Sequence, residues 1–286
     1  MTKAFQNIRR WNDMWGLFTQ YITASVRKMI LGRFATAIMT EGQNGTILVD
    51  ASDFNIGQAL AFQGSYNIAR IQSLERLLHA DSRVLNVGAH VGTLLIPLAK
   101  KVREVIGIEA NPRTFKLLQW NVWLNHLKNV QLLQVAASDK EGEIEFYCNR
   151  SNSGGSKVKP VQDKYEYRYD NPEIIKVKMT PLDNLIDGDV DLIVMDIEGS
   201  EIMALHGMSR LLQTCEVLQV EYDPRHITEV AGKTVEEFIS LISSHFQYGM
   251  NVADPYKKIY SKDQFSTLIK PLSHTDLLFS KTSNGF

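Results

Sequence analysis

Cysteine is scarce in this chain. Only Cys148 and Cys215 occur in 286 residues, and they do not form a C-x-x-C pair. That argues against a disulfide scaffold and a cysteine zinc site, and it suits a reducing cytoplasm. Long apolar runs are missing too: no stretch reaches the roughly eighteen residues that span a bilayer. The opening Met1-Thr2-Lys3-Ala4-Phe5-Gln6 lacks the apolar core and small-residue cleavage site of a signal peptide. Neither sign of charge dominates, with 31 basic and 32 acidic residues and a formal net charge of −1. No polycationic face or nucleic-acid-binding motif is visible, so no nucleic-acid partner is expected. What remains is 44% hydrophobic and 22% charged, enough to bury one large core, or one core plus a smaller appendage.

The most informative stretch is Val84-Leu85-Asn86-Val87-Gly88-Ala89-His90-Val91-Gly92, followed seventeen residues later by Glu109 at the end of Val105-Ile106-Gly107-Ile108. A strand, a glycine turn, a helix and a second strand closed by an acid is the layout of a doubly wound α/β sheet. Such a sheet binds an adenosine-containing cofactor outside the carboxyl ends of its strands. Gly88 lets the chain turn sharply and brings backbone amides near a ligand. Gly92 allows the next helix to pack closely, and Glu109 stands where a carboxylate accepts both ribose hydroxyls. The third glycine of the dinucleotide fingerprint is missing, and Thr93-Leu94 after Gly92 supply no phosphate-binding lysine. Two glycines spaced G-x-x-x-G suit S-adenosylmethionine better than NAD, which disfavours a nicotinamide oxidoreductase. The plainer alternative is a structural βα turn that happens to hold glycine.

Three regions separate along the chain. Residues 1–45 read as an amphipathic helical extension, with Ile8, Trp11, Trp15, Phe18, Ile22, Val26, Met29 and Ile30 at spacings of three and four and a turn signal at Glu41-Gly42-Gln43-Asn44-Gly45. Over residues 1–33 six basic side chains face one acid, Asp13. Such a helix packs on the protein body or a second subunit, or lies on a membrane surface, as a homodimer or peripheral membrane contact. Residues 46–80 form a lead-in segment and lid, with a strand near Thr46–Val49 and helical spacing over Ile68–His79. Residues 81–286 alternate strand and helix as βαβ units do. Within them 149–173 is a polar loop carrying Tyr165, Tyr167 and Tyr169, suited to stacking on an acceptor or to a solvated excursion.

Taken together, Asn86 to Gly92, Glu109-Ala110-Asn111-Pro112, Ala136-Ala137-Ser138-Asp139, Thr180-Pro181-Leu182-Asp183 and Met195-Asp196-Ile197-Glu198-Gly199-Ser200-Glu201 resemble the FkbM-type S-adenosylmethionine-dependent methyltransferases. The similarity covers roughly residues 80–225, and the D-x-E-G-x-E block in register with the others is its specific part. It implies a Rossmann-like, seven-stranded sheet, mostly parallel with an antiparallel last strand, which Leu277–Phe279 supplies. It also implies O-methylation of a hydroxyl on a sugar or natural-product-like small molecule. The cofactor-binding set expected on these positions is Asn86, Val87, Gly88, Ala89, His90, Gly92, Glu109, Ala110, Asn111, Ala137, Ser138, Asp139 and Asp196, with Ser138 and Asp139 at the adenine end. Two positions depart from the family: Asn86 stands where it usually has aspartate, and His90 where it usually has asparagine.

Methyl transfer from a sulfonium asks mainly for alignment of acceptor oxygen, methyl carbon and sulfur. An alcohol acceptor also gains from a base. Asp196 and Glu198 are the catalytic candidates: two apart in an extended segment, they face one way and raise one another's pKa. The structural alternative has Asp196 capping the next helix and Glu201 in its first turn. Glu221 is a third candidate. His126, His206 and His226 read as surface or helix-end residues. Asp196, Glu198 and Glu221 could supply oxygen ligands, but the spacing requires no metal and none is expected. A methyltransferase fold that binds cofactor weakly, because of Asn86, and serves as a scaffold is the non-catalytic alternative.

Overall fold

The computed structural model describes residues 22–23, 25–149 and 151–286. Ile8, Trp11, Trp15 and Phe18, on which the N-terminal apolar stripe was placed, lie outside them. Residues 25–31 are helical, but the helix stops at Gly32 in the left-handed region (φ +84°) rather than near residue 45. Strands β1 (Ala37–Gly42) and β2 (Gly45–Asp50) follow as an antiparallel hairpin, so the glycine-rich turn signal closes a hairpin and ends no helix. Alternation shows why: Ile47 and Val49 are buried while Leu48 between them is not, the two-residue period of a strand. Two asparagines dock this hairpin on the main domain. The fully buried Asn121 accepts from the Leu48 amide (2.6 Å) and donates to the Leu48 and Val91 carbonyls (3.0 and 2.8 Å). Asn125 pairs in the same way with Thr46. Through Val91 the hairpin is tied to the glycine turn.

The main domain begins with α1 (Ile56–Gln63) and α2 (Ile68–Glu75), then β3 (Arg83–Val87), α3 (Leu95–Ala99), β4 (Glu104–Ile108), α4 (Pro112–Leu124) and β5 (Val130–Leu133). The start of α4 is as the sequence dictates: Asn111 accepts from the Arg113 amide (3.0 Å), and Pro112, which has no amide to leave unpaired, takes the first turn. Next come β6 (Ala136–Ala137), β7 (Gly142–Cys148), β8 (Lys157–Val158) and β9 (Glu173–Thr180), which form a small separate sheet in the order β6-β9-β7-β8. The chain returns through β10 (Leu192–Met195), α5 (Glu201–His206), α6 (Ser209–Thr214), β11 (Val217–Tyr222), α7 (Pro224–Glu229) and α8 (Val235–His245). It ends with β12 (Tyr248–Asn251), β13 (Tyr260–Ser261), α9 (Phe265–Ile269) and β14 (Thr275–Ser280).

The large sheet runs β13-β12-β14-β11-β10-β3-β4-β5. Seven strands form the expected sheet, and β13 adds a two-residue edge. β14 is antiparallel to both β11 and β12, whereas β11, β10, β3, β4 and β5 pair in parallel. Neighbouring positions serve opposite faces. Leu85, Val87, Ile106, Ile193 and Met195 enter one apolar cluster, while Val84, Val105, Leu192 and Val194 enter another. Burial on both faces explains the continuous apolar runs of these strands. From β3 the chain first moves outward to β4 and β5, then crosses back to β10 on the other side. The crevice at the carboxyl ends of β3 and β10 is therefore the topological switch point where ligands bind in such sheets. Among the described residues no helix is long and apolar enough to cross a membrane.

Candidate active site

A cavity of about 370 Å³ opens at that switch point. Asn86, Val87, Gly88, Ala89, His90, Glu109, Ala110, Ala137, Asp196 and Glu198 all line it. Gly92, Asn111, Ser138 and Asp139 do not. Gly92 is a packing residue: its φ is +91°, and a Cβ there would meet Leu118 at 2.9 Å. Asn111 spends its side chain on the α4 cap. Ser138 and Asp139 miss the cavity because β6 bends the chain towards β9. There the Ser138 amide donates to the Thr180 carbonyl (3.1 Å), and Asp139 is exposed. Val135 and Ala136 line the cavity in their place.

Glu109 is nearly buried at the end of β4. One carboxylate oxygen accepts from the His90 amide (2.9 Å) and the other from the Asn111 amide (2.8 Å). Burial pushes its pKa up to about 7 against the pull of those amides. The acid therefore both ties the glycine turn to β4 and faces the cavity. Asn86 is 2% exposed, and its Oδ1 has no hydrogen-bond partner. A buried acceptor left unpaired costs about 1–3 kcal/mol, so this oxygen is poised for a donor from a ligand.

His90, at φ +50°, carries a hydrogen-bond chain that sequence reasoning did not anticipate. The Ser153 hydroxyl donates to Asp53 (2.6 Å), so it must accept from His90 Nε2 (2.9 Å). That fixes the imidazole as the Nε2–H tautomer with an unpartnered, buried Nδ1. Burial holds the ring pKa down. The contact also orders the polar segment: Ser153–Gly155 is a 3₁₀ turn against the cavity. Of its three tyrosines, none lines the cavity. Tyr165 is 82% exposed, and the buried Tyr167 donates to Glu229 (2.8 Å). Acceptor stacking on these rings finds no support; Tyr66, from the loop before α2, lines the cavity instead.

The D-x-E-G-x-E block forms the opposite wall. Asp196 does not cap α5, whose N-cap position is Ser200. Its carboxylate accepts from Arg70 (3.3 Å), and Arg70 also reaches Asp276 (3.2 Å). Glu201, the last acid of the block, accepts from the Ile197 and Gly199 amides (3.0 and 3.2 Å) and so staples the turn from below. The turn holds Glu198 at φ +57°, a conformation that costs a non-glycine residue about 1–3 kcal/mol and recurs at functional sites. Glu198 accepts from Lys157 (2.9 Å); burial raises its pKa, and Lys157 opposes the rise. Glu221 lies 3.4 Å from His274 and lines the same wall. Burial and the neighbouring Asp196 and Glu198 hold its pKa well above the usual carboxylate range. His126 and His206 are exposed and His226 lies in the last turn of α7, as expected of surface or helix-end residues. His226 is half-buried, with Nε2 3.3 Å from Lys157, and its pKa is pushed down to about 4 by burial and then by Lys157. Glu198, Glu221 and His226 have ligand-type atoms within 4.8 Å of one another.

A glycine turn, a strand-end acid and rim carboxylates around the switch point of a mixed sheet define a methyltransferase-type α/β domain. The chain belongs to the FkbM methyltransferase family: that family's profile, described as the methyltransferase FkbM domain, matches residues 86–249. Among curated proteins, the 2-O-methyltransferase NoeI of Sinorhizobium fredii is 26% identical over 175 residues, 55% of this chain and 70% of NoeI. The probable ribosomal RNA small subunit methyltransferase A of Methanosphaera stadtmanae is 35% identical over 54 residues, 19% of this chain. The chain spans only 20% of that relative. Among solved structures, methyltransferase FkbM from Methylobacillus flagellatus KT aligns with a TM-score of 0.44 and 18% identity, over 71% of this chain and 44% of that one. Trm5b from Pyrococcus abyssi aligns with a TM-score of 0.46 and 14% identity, over 87% and 57%.

Proposed function

We propose that this chain is an S-adenosylmethionine-dependent O-methyltransferase acting on a hydroxyl of a sugar or natural-product-like small molecule. The observation that carries the reading is the sharing of one cavity by the Asn86 oxygen, the Glu109 carboxylate and the Asp196–Glu198 pair. The residues fit the cofactor. The unpartnered Asn86 Oδ1 suits its ammonium, the Glu109 carboxylate at the cavity edge suits ribose hydroxyls, and Ala110, Ala136 and Ala137 leave room for a flat base. When bound, S-adenosylmethionine supplies an electrophilic methyl group.

The protein's own work lies on the acceptor side. Asp196, held by Arg70, and Glu198, held by Lys157, flank the place where an acceptor hydroxyl must sit to align with a ligand on the β3–β4 side. Glu198, its pKa raised by burial, is the stronger candidate to take the hydroxyl proton as the new bond forms. NoeI, by its name a 2-O-methyltransferase, supports oxygen as the atom methylated. The unpaired Cys148 and Cys215 agree with a cytoplasmic setting. On the N-terminal side, Arg27 donates to the Ala51 and Asp53 carbonyls and braces the loop that holds Ser153, while the exposed Met29, Ile30 and Phe34 offer a contact face.

One observation favours a second reading. Asn86 presents no charge to the cofactor's ammonium, which suits a scaffold with weak cofactor affinity. Transfer of labelled methyl from S-adenosylmethionine to a panel of free sugars, glycosides and hydroxylated polyketides decides between them. Label in an alkali-stable ether supports O-methylation, whereas no transfer to any acceptor by a protein that also fails to bind cofactor supports the scaffold.

A further inference from the structure

Behind the cavity wall, Glu198 and Glu221 meet His226 in a cluster that holds more ligand-type atoms than base catalysis needs. Two carboxylates and an imidazole within 4.8 Å of one another are a set that takes a divalent cation, with ligand distances of about 2.0–2.6 Å. In this chain a side chain meets that set. Lys157, on β8, is 6% exposed. Its ammonium donates to Glu198 (2.9 Å) and to His226 Nε2 (3.3 Å), and lies 5.3 Å from the centroid of the Tyr167 ring. Lysine has three donors and no acceptor. Two go to these partners, and the ring face of Tyr167 stabilises the cation on its remaining side. Because His226 Nε2 accepts, its proton sits on Nδ1, 3.7 Å from Glu198. Tyr167 is in turn fixed by Glu229. A buried lysine is usually costly, and this one has a built seat.

We propose that Lys157 is a built-in cation, seated where a divalent metal ion would otherwise bind among Glu198, Glu221 and His226, and that it holds Glu198 in place on the cavity wall. The proposal extends the reading of Glu198 as the base, making Lys157 a positioning residue that needs no exchangeable ion. The groups facing Glu198 are Lys157 from β8, His226 from α7, Glu221 from β11, His274 from the turn before β14, Asp196 from its own loop, and Tyr66 and Tyr169 from the flanking loops. Lys157 is the one fixed cation in direct contact with it among these.

The test is Mn²⁺ binding, followed by electron paramagnetic resonance and calorimetry, on the full chain. Wild type and Lys157→Arg should bind no Mn²⁺ at this wall. Lys157→Met, close in length but uncharged, should gain one Mn²⁺ site, lost again in Lys157→Met/Glu198→Gln and Lys157→Met/His226→Ala. Lys157→Gln gives the same reading should the methionine variant fold poorly. Two results overturn the proposal: a wild-type Mn²⁺ site that His226→Ala removes, or folded Lys157→Met and Lys157→Gln variants that gain none. S-adenosylhomocysteine titrated into the same samples reports the other end of the cavity. Its failure to bind would sink the proposed function while leaving the cation result to stand or fall by itself.

Discussion

The α-carbon of Gly88 packs directly on the carbonyl oxygen of Asp196, so that a Cβ at position 88 would overlap that oxygen. This contact joins the two halves of the switch point: the turn after β3, which faces the cofactor side, and the loop after β10, which carries the rim acids. Gly88 is required here twice, by that contact and by its φ of +84°. Gly88→Ala is expected to lower stability by about 2 kcal/mol or more and to weaken S-adenosylhomocysteine binding. Urea unfolding and calorimetry check both, and an alanine variant with wild-type stability contradicts the contact.

Glu109 links cofactor recognition to pH. Its pKa is raised from 4.5 to about 7 by burial. A raised acid stabilises the fold most below its unfolded pKa, and that contribution fades as pH rises from 4.5 through about 7. Glu109→Gln should flatten the fall in stability over this window by up to about 3 kcal/mol. The same variant should weaken S-adenosylhomocysteine binding by roughly 1.5–3 kcal/mol, the scale of a charged hydrogen bond. Unchanged affinity in a folded Glu109→Gln protein removes the ribose role.

Asn86→Asp separates binding from stability. The new carboxylate would face the cofactor's ammonium and tighten S-adenosylhomocysteine binding. The position is 2% exposed, so the ligand-free protein should lose stability, because a buried unpaired charge is costly. Weaker binding together with unchanged stability would mean that the asparagine does not face the ligand.

For the acids of the β10 loop, Glu198→Gln should leave S-adenosylhomocysteine affinity near wild type and slow methyl transfer about 10²-fold, as for a lost general base. Asp196→Asn should slow transfer too, and by breaking the Arg70 pair it should also disturb the wall formed with Asp276. If Asp196→Asn instead abolishes cofactor binding and spares the rate at saturating cofactor, Asp196 is a cofactor ligand and Glu198 alone remains as base. A fast Glu198→Gln enzyme contradicts the assignment.

The half of the site contributed by β3, β4 and β10 was legible because its residues follow their strands directly: burial writes apolar runs, and the residues ending those runs stand on the rim. The other half was not legible. Arg70 and Asp276 reach the cavity, and Lys157 reaches Glu198 behind its wall, from segments with no local signal; the pairs Arg70–Asp196, Arg70–Asp276 and Lys157–Glu198 are separated by 126, 206 and 41 residues. Pairing across such separations leaves no periodicity to read. Ser138 and Asp139 lie off the cavity for a local reason, since the bend into β6 turns them away just past Ala137. Of the hairpin, the second strand was legible near Thr46–Val49, but β1 was hidden because Ala37–Gly42 follows soon after the preceding helix and reads as part of it in sequence.

The central claim is that the switch-point cavity is an S-adenosylmethionine site, and calorimetric titration of the full chain with S-adenosylhomocysteine, with NAD as the control, tests it most directly. The account predicts one saturable S-adenosylhomocysteine site per chain, weakened by Glu109→Gln, and no heat from NAD. Saturable NAD binding, or no S-adenosylhomocysteine binding by a folded protein, would contradict it.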